Sequence, residues 1–298
     1  MKVLATRRYP GPAFDELDGV EIAPLERSRP DVEALIVANE PVPLELFPAL
    51  RLVANFGVGY DRLDVEALAA RGVVVTNTPG VLDNAVADLA FALILAVRRQ
   101  VVRGDSVVRS GGWGGFLAEG ELADEVTGST LGIVGLGRIG SAVARRARGF
   151  EMRVLYTRRL RADSDLGEWR VLDDLLAEAD VVSLHVPLTP ETTGLLDARR
   201  LSLLRDGACL VNTARGEIVD EPALVRELVS GRISAGLDVF AHEPQVPAEL
   251  LGLPNVVLTP HIGSATRGTR EAMTRLVVDN VLAVERGDPP LTPVTVAT

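Results

Sequence analysis

The chain has 298 residues, enough for two cores of ordinary size, and its 47% hydrophobic and 24% charged residues read as globular. A formal charge of −10 argues against nucleic acid or an anionic membrane as a partner, because neither would gain from counterion release. Cys209 is the single cysteine, which excludes an intramolecular disulfide and a cysteine-based zinc site and fits a reducing, cytoplasmic setting; no metal site is expected.

Short β-branched runs alternate with helical stretches, the pattern of parallel sheets with crossover helices. The N-terminus lacks a long apolar segment, so no secretory signal is expected. Lys2 to Ala5, Ala34 to Val37, Arg51 to Ala54 and Val73 to Thr76 read as strands, and Asp64 to Arg71 as a helix stopped by Gly72. Leu82 to Arg103 reads as one long helix, apolar nearly all round and so buried between layers or subunits. Its apolar stretch, Leu89 to Val97, is about half what a bilayer needs.

A second series gives six strands: Thr130 to Val134, Arg153 to Tyr156, Val181 to His185, Cys209 to Asn212, Ser234 to Leu237 and Val256 to Leu258. Six strands with helices between them match the doubly wound dinucleotide fold. The last helix, Gly268 to Arg286, must bury Met273, Leu276, Val277, Val281 and Leu282, and is expected to fold back onto the first unit. The expected fold is α/β, with two Rossmann-like or flavodoxin-like lobes of parallel strands. Residues 1–95 and 268–298 would form a substrate-binding lobe and 96–267 a dinucleotide-binding lobe, with the active site in the cleft between them.

The glycine turn Gly135-Leu136-Gly137-Arg138-Ile139-Gly140 follows the first strand of that second series and opens a helix. Gly135 allows the tight turn, Gly137 lets backbone approach a pyrophosphate, and Gly140 lets helix and strand pack closely. The first N–H groups of the helix then face the anion.

Of three histidines, His185 ends a strand and is either a cofactor neighbour or a structural residue. His242 lies in a polar turn and reads as solvated. His261 follows Val256-Val257-Leu258-Thr259-Pro260 and precedes Ile262-Gly263, which makes it catalytic or a satisfied core residue. Arg215 lies just past one strand end, and Asp238 and then Glu243 past the next. Arg, Glu and His from neighbouring strand ends can converge on one cleft. Reduction of a 2-oxo acid needs this set: a fork-shaped cation for the carboxylate, a proton donor for the developing alkoxide, and a hydride from a nicotinamide. A carboxylate beside a histidine favours the imidazolium and fixes the ring.

These residues resemble the NAD(P)-dependent D-isomer-specific 2-hydroxyacid dehydrogenases along essentially the whole chain. The matching motifs are Asn55 to Asp61, Thr76 to Pro79, the glycine turn, Asn212 to Gly216, Gly236 to Pro244 and Thr259 to Gly263. The resemblance implies that Arg215 binds the substrate carboxylate, that Glu243 pairs with His261, and that His261 is the acid/base. It implies substrate contacts from backbone groups of Val58 and Gly59, and cofactor contacts from Arg138, Ile139, Pro187, Thr213, Asp238 and Gly263. It also implies a homodimer built on the helix from Leu82 and the loop after it. Gly263-Ser264-Ala265-Thr266 looks most like the glyoxylate and hydroxypyruvate reductases. Phosphoglycerate dehydrogenase is an alternative, although many members carry a further domain. The loop Gly114 to Gly120 is shorter than those reductases often have, and lacks their additional tryptophan. A different class, a cofactor-sensing binding protein like the family's transcriptional corepressors, is the second reading.

The end of the second nucleotide-unit strand bears on coenzyme choice. An NAD-specific fold places Asp or Glu about 20 residues beyond the glycine turn. Here Thr157 occupies that position and Arg158 and Arg159 follow. Threonine can hydrogen-bond a 2′-phosphate and the arginines can pair with it, which predicts NADPH over NADH, with NAD possible.

Overall fold

The computed structural model describes residues 1–116, 118 and 122–295. They divide into two compact units, Met1–Leu82 with Ser264–Thr298, and Asp83–Gly263.

In the first unit β1 (Val3–Ala5), β2 (Glu21–Ile22), β3 (Ala34–Val37), β4 (Leu52–Asn55) and β5 (Val74–Thr76) are all parallel, in the order β2-β1-β3-β4-β5. This is the flavodoxin-like order. β3 and β4 are buried along their whole length, as strands covered on both faces must be. Helix α1 (Val65–Ala70) starts at Asp64, whose carboxylate accepts from the Ala67 N–H at 2.9 Å.

The second unit opens with α2 (Asp83–Arg98) and α3 (Val101–Arg109). It continues with β6 (Thr130–Val134), α4 (Arg138–Ala147), β7 (Arg153–Thr157), β8 (Glu168–Trp169), α5 (Leu172–Glu178) and β9 (Val181–Leu184). α6 (Ala198–Leu203), β10 (Cys209–Asn212), α7 (Glu221–Val229), β11 (Ser234–Leu237) and β12 (Val256–Leu258) complete it. The strands are parallel in the order β12-β11-β10-β9-β6-β7-β8, so that from the β8 edge they run 3-2-1-4-5-6-7. That is the dinucleotide-binding order with one strand added, and its switch point lies between β6 and β9. Leu131, Ile133 and Val211 pack on one face against Ala90 and Ile94 of α2 and Val143 of α4. Val182 and Leu210 pack on the other against Leu175, Leu201 and Leu224 of α5, α6 and α7.

The chain returns to the first unit as α8 (Arg267–Glu285), which lies on β4 and on the 3-10 helix Pro12–Glu16. Met273, Val277 and Val281 are buried there, with Leu276 and Leu282 partly so. Beyond it Val294 N–H donates to Val75 at 2.8 Å, and Pro293 bridges Thr76 antiparallel, covering the β5 edge.

Three expectations change. The single helix from Leu82 to Arg103 is two helices, because Gln100 takes a left-handed conformation (φ 51°) and its side chain reaches the Leu122 carbonyl at 3.4 Å. α3 buries none of its residues, so only the α2 half is covered. The second sheet has seven strands rather than six: β8 is a two-residue edge strand in a polar stretch, held by Arg153 on Glu168 at 3.0 Å. The boundary expected at residue 95 falls inside α2, whose neighbours are α4, β10, β11 and β12, and the return crossing is at Ser264 rather than 268.

Candidate active site

In the glycine turn Gly135 has φ 100°, and a Cβ there would come within 2.7 Å of the His185 carbonyl oxygen across the switch point. A Cβ on Gly140 would collide with the Gly135 carbonyl oxygen and press on Ile133, so glycine brings α4 down onto β6. Gly137 is the N-cap of α4, and Arg138 and Ile139 are its first residues, in the turn whose N–H groups have no helical acceptor. Thr157 ends β7, its carbonyl accepting from Gly135 N–H at 3.0 Å. Arg158 and Arg159 are exposed and make no ion pair among the described residues. Pro187 lies past β9, its carbonyl taken by the Thr192 hydroxyl at 2.6 Å. Thr213, past β10, has a buried hydroxyl without a partner among the described residues, an orphan that suits a polar ligand atom. The glycine cradle, the open first turn of α4 and this hydroxyl fit a dinucleotide.

The three candidate catalytic residues all belong to the second unit. His261, past β12, has φ 52°, and its N–H donates to the Asp238 carbonyl at 2.9 Å. Its Nδ1 lies 2.8 Å from Glu243 Oε2. An ionised carboxylate only accepts, so Nδ1 carries the proton of this bond, leaving Nε2 on the half-exposed outer edge of the ring. Glu243 Oε1 accepts from the Phe240 N–H at 3.2 Å. Burial acts to raise the Glu243 carboxyl, but the hydrogen bond and charge of His261, the Phe240 N–H and the charge of Arg215 together hold it below the usual carboxylate range.

Arg215 lies past β10 and is anchored through its backbone: Asn212 Nδ2 donates to the Arg215 carbonyl at 2.8 Å, and its own Nη1 donates to the Ala214 carbonyl at 2.7 Å. Gly216, next to it, abuts the Phe240–Ala241 backbone with no room for a Cβ, which brings the Arg215 turn against the Glu243 turn. The structure thus joins Arg215, Glu243 and His261.

Asp238 does more than its position in the sequence suggests. It is buried, and both carboxylate oxygens are taken: Oδ1 by the Thr259 hydroxyl at 2.6 Å and Ile262 N–H at 2.8 Å, Oδ2 by Gly263 N–H at 2.8 Å. It fastens both sides of the His261 turn. Asn212 and Thr259 are further positioning residues that the sequence reading left without a role.

Burial pushes His185 down to about 4, so its ring is neutral near pH 7, bonded to Ser183 Oγ at 2.8 Å. His242 is exposed in the turn closed by Gln245. In the first unit, Val58 and Gly59 follow β4, their carbonyls taken by Asn77 Nδ2 at 3.0 Å and Asn55 Nδ2 at 2.9 Å. Leu117, Glu119 and Gly120 of the short loop lie outside the described residues.

Residues 91–263 match the model for the NAD-binding domain of the D-isomer specific 2-hydroxyacid dehydrogenases. The chain belongs to that family. A glyoxylate reductase from Pyrococcus furiosus is 49% identical over 98% of this chain and 94% of its own. A solved protein from Thermus thermophilus superposes with a TM-score of 0.92 at 45% identity, over 99% of this chain and all of that one. An NADPH-dependent glyoxylate/hydroxypyruvate reductase from Sinorhizobium meliloti, solved with NADP and malonate, gives 0.89 at 39% identity, over 99% and 96%. The protein is an oxidoreductase with a nicotinamide-cofactor domain, in which 2-oxo acids are reduced. No helix among the described residues is long and apolar enough to cross a membrane.

Proposed function

We propose that this enzyme reduces glyoxylate and hydroxypyruvate to the corresponding 2-hydroxy acids (D-glycerate from hydroxypyruvate), with NADPH preferred to NADH. The carrying observation is the 2.8 Å pair of His261 and Glu243 beside Arg215. When bound, the reduced nicotinamide supplies the hydride to C2 of the oxo acid. His261 gives a proton from Nε2 to the carbonyl oxygen, so that one hydride and one proton convert C=O to CH–OH. Glu243 keeps the ring oriented through its 2.8 Å bond to Nδ1. Arg215 takes the substrate carboxylate through its planar fork, and the N–H groups of Val58 and Gly59 are donors to the same group. Gly135, Gly137, Arg138, Ile139 and Gly140 hold the pyrophosphate, while Pro187, Thr213, Asp238 and Gly263 border the remainder of the cofactor.

The coenzyme preference is carried by Thr157, Arg158 and Arg159, whose turn contains no carboxylate to repel a 2′-phosphate. A homodimer is proposed through α3 and the segment after it, where Val101, Val102, Val108, Trp113 and Phe116 are exposed. A cytosolic location is part of the proposal, in keeping with a single, buried and unpaired cysteine. Initial rates with glyoxylate, hydroxypyruvate, pyruvate and bulkier 2-oxo acids, each with NADPH and NADH, test the reading. Highest kcat/KM for glyoxylate and hydroxypyruvate with NADPH is expected; turnover confined to bulky acids, or none, overturns the substrate assignment.

A further inference from the structure

Three arginines of the first unit stand in comparable surroundings, and one is built differently. Arg8 lies over the Phe14 ring at 5.5 Å and is held by both Asp15 oxygens at 2.7 and 2.9 Å. Arg275 of α8 pairs with Glu16 at 2.6 Å and Asp279 at 2.8 Å. Arg270, in the first turns of the same helix, lies over the Phe56 ring at 5.5 Å, yet its guanidinium has no carboxylate or other acceptor among the described residues. It is half-buried, and burial lowers its pKa. The adjacent carboxylate side chain, Glu271, is turned to Gly11, where a Cβ would come 2.9 Å from its Cγ. A guanidinium drawn partly out of water without an acceptor loses hydration and gains little in return. A ligand anion would supply what is missing.

The surroundings supply a matching donor set. Phe56, braced by Tyr9 at a ring distance of 4.6 Å, leads directly into Gly57-Val58-Gly59. The three carbonyls of that loop are tied down: Gly57 by Thr78 N–H at 3.0 Å and Asn55 Nδ2 at 3.2 Å, Val58 by Asn77, and Gly59 by Asn55. The Val58 and Gly59 N–H groups are left with no acceptor among the described residues. Consecutive free N–H groups beside a fork-shaped cation make an anion receptor.

We propose that Arg270 is a substrate-binding residue, its guanidinium taking the carboxylate of the 2-oxo acid together with the N–H groups of Val58 and Gly59. The inference rests on the reduction reading above and adds a second substrate cation to it. The Phe56 ring fixes the side chain, so little rotamer freedom remains to be lost on binding.

The test measures KM for glyoxylate, and by calorimetry the affinity of the NADPH-loaded enzyme for oxamate, an unreactive 2-oxo acid analogue. Arg270→Met should raise both KM and the oxamate Kd by about tenfold or more, with kcat within about threefold and NADPH affinity unmoved. Arg270→Lys should recover part of the loss, because charge returns without the fork. Oxamate affinity within twofold of wild type in a Met variant of unchanged Tm overturns the assignment, as does an equal loss of NADPH affinity. Should the Met variant not fold, the Lys variant decides: a Kd raised about threefold or more supports the proposal, and an unchanged Kd refutes it. Absence of turnover by wild type with every 2-oxo acid would count against the reduction reading, while oxamate binding would still report on Arg270.

Discussion

The turn after β12 and the turn after β7 both leave the carboxyl ends of strands in one parallel sheet and are built in opposite ways. The first holds His261 in a left-handed conformation, ties the Thr259 hydroxyl before it and the Ile262 and Gly263 N–H groups after it to Asp238, and fixes its ring through Glu243 at 2.8 Å. The second, Thr157 to Arg159, ends with two exposed arginines that make no ion pair among the described residues. In the proposed mechanism a proton must be delivered along one direction at hydrogen-bond distance, which suits an overdetermined first turn. In the proposed coenzyme reading the second turn meets a 2′-phosphate, which asks only for positive charge of the right reach, so that turn can remain loose. Substitutions at the rigid turn should therefore damage turnover steeply, and those at the loose turn should act gradually and through charge.

The largest effect is expected from His261→Ala, which removes the proton donor of the proposed mechanism and should lower kcat at least ~10²-fold. Near-normal turnover of that variant would remove His261 from catalysis. Arg215→Lys keeps the charge and loses the fork; kcat/KM for the oxo acid should fall about 10- to 100-fold with coenzyme affinity little changed. A coenzyme Kd that rises as much as the substrate KM would move Arg215 to the cofactor site.

Asp238→Ala probes the fastening itself. It strips the Ile262 and Gly263 N–H groups and the Thr259 hydroxyl of their acceptor, at roughly 1–3 kcal/mol for each donor left unpaired. Both Tm and kcat should fall. A variant with unchanged Tm and low kcat would instead give Asp238 a direct part in the chemistry.

The pH dependence of Glu243 is a smaller effect with a definite sign. Its folded-state pKa is depressed, so the stabilisation it gives is present above its unfolded value and is lost as pH falls through the lower folded value. The Tm advantage of wild type over Glu243→Gln should hold at neutral pH and vanish on acidification through the carboxylate range. An advantage that grows on acidification would contradict the pairing.

The contrast also explains what could be read without coordinates. β3, β10 and β11 coincide with the runs read from sequence, because buried parallel strands are short, apolar and bounded by turns. The glycine turn and the Arg, Glu and His residues were legible because each follows such a run. β8 was not: it is only two residues long, Glu168 and Trp169, and its place is set by an ion-pair ladder in which Glu168 meets both Arg153 and Arg170. The break at Gln100 depends on a left-handed residue and a contact with Leu122, distant in the chain. The role of Asp238 arises from backbone donors, which carry no side-chain signature. Arg270 became distinct only once the carboxylates of its neighbours were seen to be engaged elsewhere.

The smallest effect belongs to the loose turn, and it sharpens the comparison most directly. Arg158→Ala should raise KM for NADPH several-fold and leave NADH kinetics nearly unchanged, since an exposed charged contact is weakened by solvent and salt. Arg158→Lys should keep most of the NADPH preference, whereas the same exchange at Arg215 is costly, because one site uses charge and the other a planar fork. Raising ionic strength should narrow the ratio of kcat/KM between NADPH and NADH in wild type and have little effect on it in Arg158→Ala. Higher kcat/KM for NADH in the wild-type enzyme, or a preference indifferent to both Arg158 and salt, would show that this turn does not read the 2′-phosphate.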